Sequence, residues 1–327
     1  MSKVKFGGAR RGCGRVVHCH AVFGERAGRA PSKDEYYLFQ PKLVVEGVDG
    51  EAIFRKRVTV GDWEDAEERL MAMLYRRHVE FAVGHGVGVH VEAAPDTPER
   101  AVRIEAAVIP AYEAPSTTPP TEPDADWNPA FGRLAGLTLD MKVLAELDAG
   151  GLRKALTPPV VAYEAWIDRE EAKIENPQEG LAAFRDVARA ATANCRRTLK
   201  RIAEGLELLT QDAHACEAFR FMNRAMWLQQ VHTLYAERVR RGESVDLERD
   251  VDRVENRSWR PFQIAFILLN LPAVTRLDHP DRSESVEATA DLLFFPTGGG
   301  KTEAYLGACR VHDGGAAVTG NGGGACG

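Results

Sequence analysis

The residues best suited to chemistry in this sequence are Pro296-Thr297-Gly298-Gly299-Gly300-Lys301-Thr302. Consecutive glycines let successive backbone N–H groups curl around a polyanion. A helix that begins directly afterwards adds the positive end of its dipole. In that arrangement Gly298, Gly299 and Gly300 supply the curl. Lys301 reaches the β- and γ-phosphates of a nucleoside triphosphate as a point charge, and the Thr302 hydroxyl ligates the accompanying Mg²⁺. Such a loop needs a strand before it and a helix after it. Asp291-Leu292-Leu293-Phe294-Phe295 is a short apolar run leading into the glycines, and Glu303-Ala304-Tyr305-Leu306 opens a helical pattern. The competing reading is a glycine-rich turn with a chance Lys-Thr, and the flanking pattern speaks against it.

Phe295 occupies the first glycine position of the pattern Gly-x4-Gly-Lys-Ser/Thr, which tells against kinases and small GTPases. The loops of superfamily 2 helicases, x-x-Thr-Gly-x-Gly-Lys-Thr, tolerate that departure and match Thr297 to Thr302. A second element, Arg260-Pro261-Phe262-Gln263, lies upstream, with Gln263 35 residues before Gly298. Those helicases often carry Arg-Pro-x-Gln there. The Gln263 amide has both a donor and an acceptor to pair with the adenine edge, which would give a preference for ATP.

The elements that must position these motifs fall into distinct stretches of a 327-residue chain, a length that suggests roughly two or three domains. Residues 1–113 read as an α+β unit. Within it, residues 1–30 are rich in Gly and Arg, show no period and are expected to be poorly ordered. Tyr37-Leu38-Phe39, Leu43-Val44-Val45 and Ile53-Phe54 are extended, and Gly47 with Asp49-Gly50 makes a hairpin turn between the last two. Asp62 to Phe81 is helical, and Gly84 to Glu92 and Val102 to Ile109 alternate as strands do. Pro115, Pro119, Pro120, Pro123 and Pro129 make 114–130 an extended linker. Residues 131–257 read as an all-α helical unit, with long helices over Val161–Glu175, Leu181–Leu209 and Ala215–Arg241 broken at Asn176-Pro177 and near Asp212. Residues 258–307 then begin an α/β domain: an apolar helix over Phe262–Leu271 ended by Pro272, a polar stretch, and the strand, loop and helix described above.

Composition bounds the partners. Hydrophobic residues make up 44%, charged residues 28%, and the net charge is −6. That is an ordinary globular mix and excludes a generally basic nucleic-acid binder, so DNA contact would need a local patch. Arg196-Arg197, Lys200-Arg201 and Arg238 with Arg240-Arg241 are such candidates, although basic runs are more often a solvated helix face. No apolar run reaches 18 residues, so no membrane span is expected, and Met1 to Arg15 has no apolar core of a secretory signal. The six cysteines are sparse and none forms a Cys-x-x-Cys pair, which fits reduced thiols in a cytoplasmic protein. Cys13 with His18-Cys19-His20 matches no ordinary zinc spacing. His85 and His90 read as surface or turn residues. Met222, Met226, Trp227 and Leu234 read as core, and Glu164, Asp168, Glu170 and Glu171 as a wet helix face.

Several longer stretches carry a family resemblance. They are Phe81 to Val87, Val108 to Glu113, Ala162 to Ile167, Glu217 to Met226, Trp259 to Gln263 and Phe294 to Gly307. In this order they resemble the DrmA family, the large superfamily 2 helicases of the bacterial DISARM anti-phage system. The resemblance implies an ATP-driven DNA helicase or translocase that acts with other defence-system proteins, and makes residues 258–307 the start of a RecA-like domain.

A helicase also needs an acidic Asp-Glu pair on a later strand and arginine fingers from a second RecA-like domain. No such pair follows Thr302, so the expectation is an N-terminal portion that binds ATP and Mg²⁺ without turning it over alone. The alternative is an accessory nucleotide-binding or protein-interaction module. Residues 308–327 hold seven glycines and no Leu, Ile, Met or Phe. They are expected not to pack as a helix, and Leu292, Leu293, Phe294 and Phe295 are expected to be partly exposed. Reading the codons of Ala308 onward one base later permits an amphipathic helix, so a frameshift near Gly307 is the accompanying expectation.

Overall fold

The composition shift at the proline-rich stretch divides the chain: the computed structural model forms two units, Met1–Pro115 and Ser116–Gly327. It describes residues 2–8, 17–23, 42–57, 65–107, 134, 136–276, 278–282, 289–294 and 299–319.

Among the described residues the first unit is an antiparallel sheet with one α-helix, as its mixed periodicity predicts. Its strands are β1 (Ser2–Gly8), β2 (Val17–Phe23), β3 (Lys42–Gly47), β4 (Phe54–Arg55), β5 (Gly88–Ala94) and β6 (Thr97–Ala107). They run in the order β1-β2-β3-β6-β4, with β5 also paired to β6. Backbone pairing thus places two strands within residues 1–30, where the side-chain sequence shows no period. The expected hairpin between β3 and β4 does not form. Val44 pairs with Glu105 and Phe54 with Ala101, so both strands run the same way along β6. The left-handed residues Asp49 (φ 55°) and Gly50 (φ 75°) therefore make an excursion from one strand edge and not a reversal. Helix α1 (Ala66–Leu74) is shorter than its sequence pattern. It starts where the Asp65 carboxylate accepts from the Glu67 N–H at 3.2 Å, a capping interaction.

The second unit is a helical bundle. Its helices are α2 (Met141–Glu146), α3 (Ala149–Ile174), α4 (Arg185–Gln211), α5 (Ala213–Arg240), α6 (Pro261–Thr275) and α7 (Lys301–Thr319). The predicted breaks coincide with caps. Asn176 caps a short turn at Pro177–Glu179. Asp212 ends α4 and accepts from the His214 and Ala215 N–H groups that open α5. One apolar cluster serves all six described helices: Met141, Leu152, Leu209, Phe219, Ile267 and Val311 belong to it. Met222 and Met226 are buried in it, as their spacing predicts.

Prolines do not end these helices. Helix α3 runs through Pro158 and Pro159, and α6 runs through Pro272 to Thr275. A proline frees the carbonyl four residues earlier, and a freed buried carbonyl needs a partner. The Ala155 carbonyl, freed by Pro159, accepts from the Thr138 N–H at 3.2 Å.

The expectation for residues 308–327 is overturned as far as Thr319. Helix α7 continues past Gly307, and Ala304, Gly307, Val311 and Gly314 are buried on one face. Their 3-4-3 spacing is a helical stripe. It is made of small residues because its neighbours come close. A Cβ on Gly307 would stand 2.7 Å from Ile267 Cδ1, and one on Gly314 would stand 2.9 Å from Phe221 Cδ1. The stripe crosses Gly307 unchanged, so the break of pattern expected there does not occur. Gly320 to Gly327 lie outside the described residues.

The strand expected at Asp291–Phe295 is also corrected: 289–294 carry no strand pairing among the described residues, and Phe295 lies outside them. An extended segment becomes a strand only when a neighbour takes its backbone groups. Here a side chain holds it instead. Arg201 of α4 grips Asp291 with two bonds of 2.7 and 2.8 Å and reaches Asp281 at 3.0 Å. Leu292 and Phe294 are exposed, as expected.

Candidate functional site

Pro261 opens α6 at a position where a missing N–H costs nothing. Gln263 then reaches back so that its Oε1 accepts from the Arg260 N–H at 2.7 Å, half of a capping box. The same amide extends in the other direction, where its Nε2 donates to the Gly300 carbonyl at 2.7 Å. Beside it, Arg260 Nη1 donates to the Gly299 carbonyl at 2.9 Å. The two motifs singled out in the sequence are therefore in direct contact. In this conformation Gln263 is 4% exposed and its amide is engaged at both ends.

Gly300 has φ +87°, a left-handed value that favours glycine. A Cβ there would also stand 2.7 Å from Gln263 Nε2 and 3.2 Å from Glu303 Oε2. Helix α7 starts at the next residue, Lys301. Gly299 is buried, Lys301 half-buried and Thr302 exposed in the first turn. Thr297 and Gly298 lie outside the described residues. The left-handed glycine, the helix start at the lysine and the open threonine fit the requirements of a phosphate and its Mg²⁺. No group of three His, Cys, Asp or Glu able to hold a metal occurs among the described residues.

A buried support fixes the angle of the helix behind this turn. Trp259 Nε1 donates to Asn223 Oδ1 at 2.8 Å, and Asn223 Nδ2 donates to the Phe219 carbonyl at 2.9 Å. Phe266 and Tyr305 meet edge to face with centroids 5.2 Å apart. A second support, unforeseen in the sequence, lies where α2 meets α5 and α6. Arg257 bonds both Asp140 oxygens at 2.9 and 3.0 Å. It also bonds Asp252 at 2.6 Å. Asp252 takes further bonds from Lys142 and Trp227 at 3.0 and 2.7 Å. Burial pushes the Asp252 carboxyl up, but its bonds from Lys142, Trp227 and Arg257 outweigh that and hold it below the ordinary carboxylate range.

The basic runs are largely committed within the fold. Arg196 pairs with Asp168 and with Glu171 at 2.7 Å, Arg201 with Asp281 and Asp291, Arg238 with Glu243 at 2.7 Å, and Arg241 with Glu237. Arg197, Lys200, Arg240 and Arg241 are exposed, and Lys200 lies 3.7 Å from Glu204. Cys13 lies outside the described residues, and of His18, Cys19 and His20 only the strand backbone is described. No described helix is long and apolar enough to cross a membrane.

No family model matches this sequence. Among curated proteins, the chain is 34% identical over 277 residues to the DISARM protein DrmA of Bacillus paralicheniformis. That match covers 83% of this chain and 22% of the relative, so the chain spans about a fifth of the relative's length.

Proposed function

The chain is related to the DrmA family, and we propose that it forms the nucleotide-binding portion of an ATP-driven DNA helicase or translocase that works with other defence-system proteins. The observation that carries this reading is the contact of Gln263 and Arg260 with the glycine turn that opens α7. Two motifs that sequence analysis ties to one nucleotide meet at one place. Thr297, Gly298, Gly299, Gly300 and Lys301 would hold the phosphates, and Thr302 would ligate Mg²⁺. The bound metal neutralises phosphate charge, and the chain's own part is to present N–H groups, the Lys301 charge and the α7 dipole.

DNA contact is proposed for the cations left outward, Arg197, Lys200 and Arg240. Calorimetry with a non-hydrolysable ATP analogue and Mg²⁺ tests the nucleotide-binding assignment. Binding that disappears in Lys301→Ala is expected, whereas equal binding by both proteins would remove it.

A further inference from the structure

The adenine-reading role expected for Gln263 requires a free amide edge, and the fold has used that edge on the glycine turn. A trans peptide unit carries its N–H opposite its carbonyl. Bonds from Arg260 to the Gly299 carbonyl and from Gln263 to the Gly300 carbonyl therefore aim the N–H groups of Gly300 and Lys301 away from α6. We propose that Gln263 and Arg260 are positioning residues that pre-organise the turn for a polyphosphate, so their contribution to binding does not depend on the base. The proposal rests on reading the turn as a phosphate loop.

Three features carry it. The clamp is short, with bonds of 2.7 and 2.9 Å to successive carbonyls. Gln263 itself is anchored, because its other end accepts from Arg260 N–H at the start of α6. Finally, the space at Gly300 is filled by the Gln263 amide, so the turn and the clamp fit only together. A group held at both ends costs little further ordering when the ligand arrives, which is the benefit of pre-organisation.

Binding of Mg-ATP, Mg-GTP and inorganic tripolyphosphate to wild type, Gln263→Met, Arg260→Met and Lys301→Ala separates the possibilities. The methionine variants remove donors without adding a negative charge near the phosphates. Each should lose roughly three- to tenfold in affinity, as expected for one hydrogen bond, and by the same factor for all three ligands. Amide exchange at Gly300 and Lys301 should quicken in both while α5 keeps its protection. A loss confined to ATP would overturn the proposal and return Gln263 to base recognition. Unchanged affinities with unchanged exchange would also overturn it. If wild type binds none of the three and Lys301→Ala alters nothing, the phosphate-loop reading has failed and the proposal goes with it. Faster exchange at the turn in Gln263→Met would then survive only as a statement about the fold.

Discussion

Gly205 of α4 faces the main-chain carbonyl of Leu268 on α6 so closely that a Cβ at Gly205 would stand 1.9 Å from the oxygen. Leu268 lies four residues before Pro272, so no helical N–H reaches that carbonyl. The proline leaves the carbonyl without its helical partner and the glycine lets the two backbones meet there. Gly205→Ala should therefore destabilise the helical unit. Alanine gains about 1 kcal/mol in helix propensity. The clash with fixed backbone opposes this by about 3 kcal/mol, toward the upper end of overpacking costs. A lowered urea midpoint is expected, and a stabilised variant would show that the helices are free to move apart.

The Asp252 hub makes stability depend on acid. Its folded pKa is depressed, so its contribution is fully present above the ordinary aspartate value of about 3.9. It is lost as pH falls through the folded value. Asp252→Asn should flatten the acid limb of a midpoint-against-pH curve. At neutral pH it should lower stability by about 3 kcal/mol, the scale for leaving partners of a buried pair uncompensated. Asp252, Asp140 and Arg257 side chains are only 13%, 10% and 12% exposed, so solvent screens them little. An Asn variant with the wild-type acid limb would assign the pH dependence elsewhere.

Helix α7 should behave as a folded element across Gly307. Val311 is 1% exposed and belongs to the shared core, so Val311→Ala should cost about 1–2 kcal/mol from lost burial and a small cavity. Gly314→Leu should cost more, because its Cβ alone would meet Phe221 at 2.9 Å and the Ala218 Cα at 3.1 Å. Amide exchange should be slow from Ala304 to Gly314. Fast exchange there, with Val311→Ala neutral, would restore the reading of this stretch as a tail.

The helical unit was legible because its signals are local. Asn176-Pro177 and Asp212 mark ends through their own backbone and side-chain chemistry, and helices α4 and α5 follow from apolar spacing. What the sequence hid depends on partners distant along the chain. Pro272 reads as a terminator until Gly205 is seen beside the carbonyl it frees. Ala304, Gly307, Val311 and Gly314 carry a helical period, but a search for large apolar residues passes over a stripe of small ones. In the sheet, Phe54 pairing with Ala101 follows from register on β6, which neither segment encodes alone. The candidate site divides in the same way. The glycine turn and Arg260-Pro261-Phe262-Gln263 were visible as motifs. The bonds of Gln263 and Arg260 to that turn were not, because an amide suited to adenine is equally suited to a peptide carbonyl.

The segment just before the turn should be a site of association. Leu292 and Phe294 are 86% and 88% exposed, while Asp291 between them and α4 is held by Arg201. Large apolar side chains presented side by side on an anchored segment favour contact with another apolar surface. Since neither side chain is packed, replacing both with threonine should change the unfolding midpoint by no more than about 0.5 kcal/mol, as at other surface positions. The same change should reduce concentration-dependent light scattering. Arg201→Met should act through the other half of the arrangement, releasing Asp291 and quickening exchange over 289–294. Scattering that is identical in wild type and the double threonine variant would show that this pair does not drive association. A large loss of stability in that variant would show that the two side chains are buried in solution.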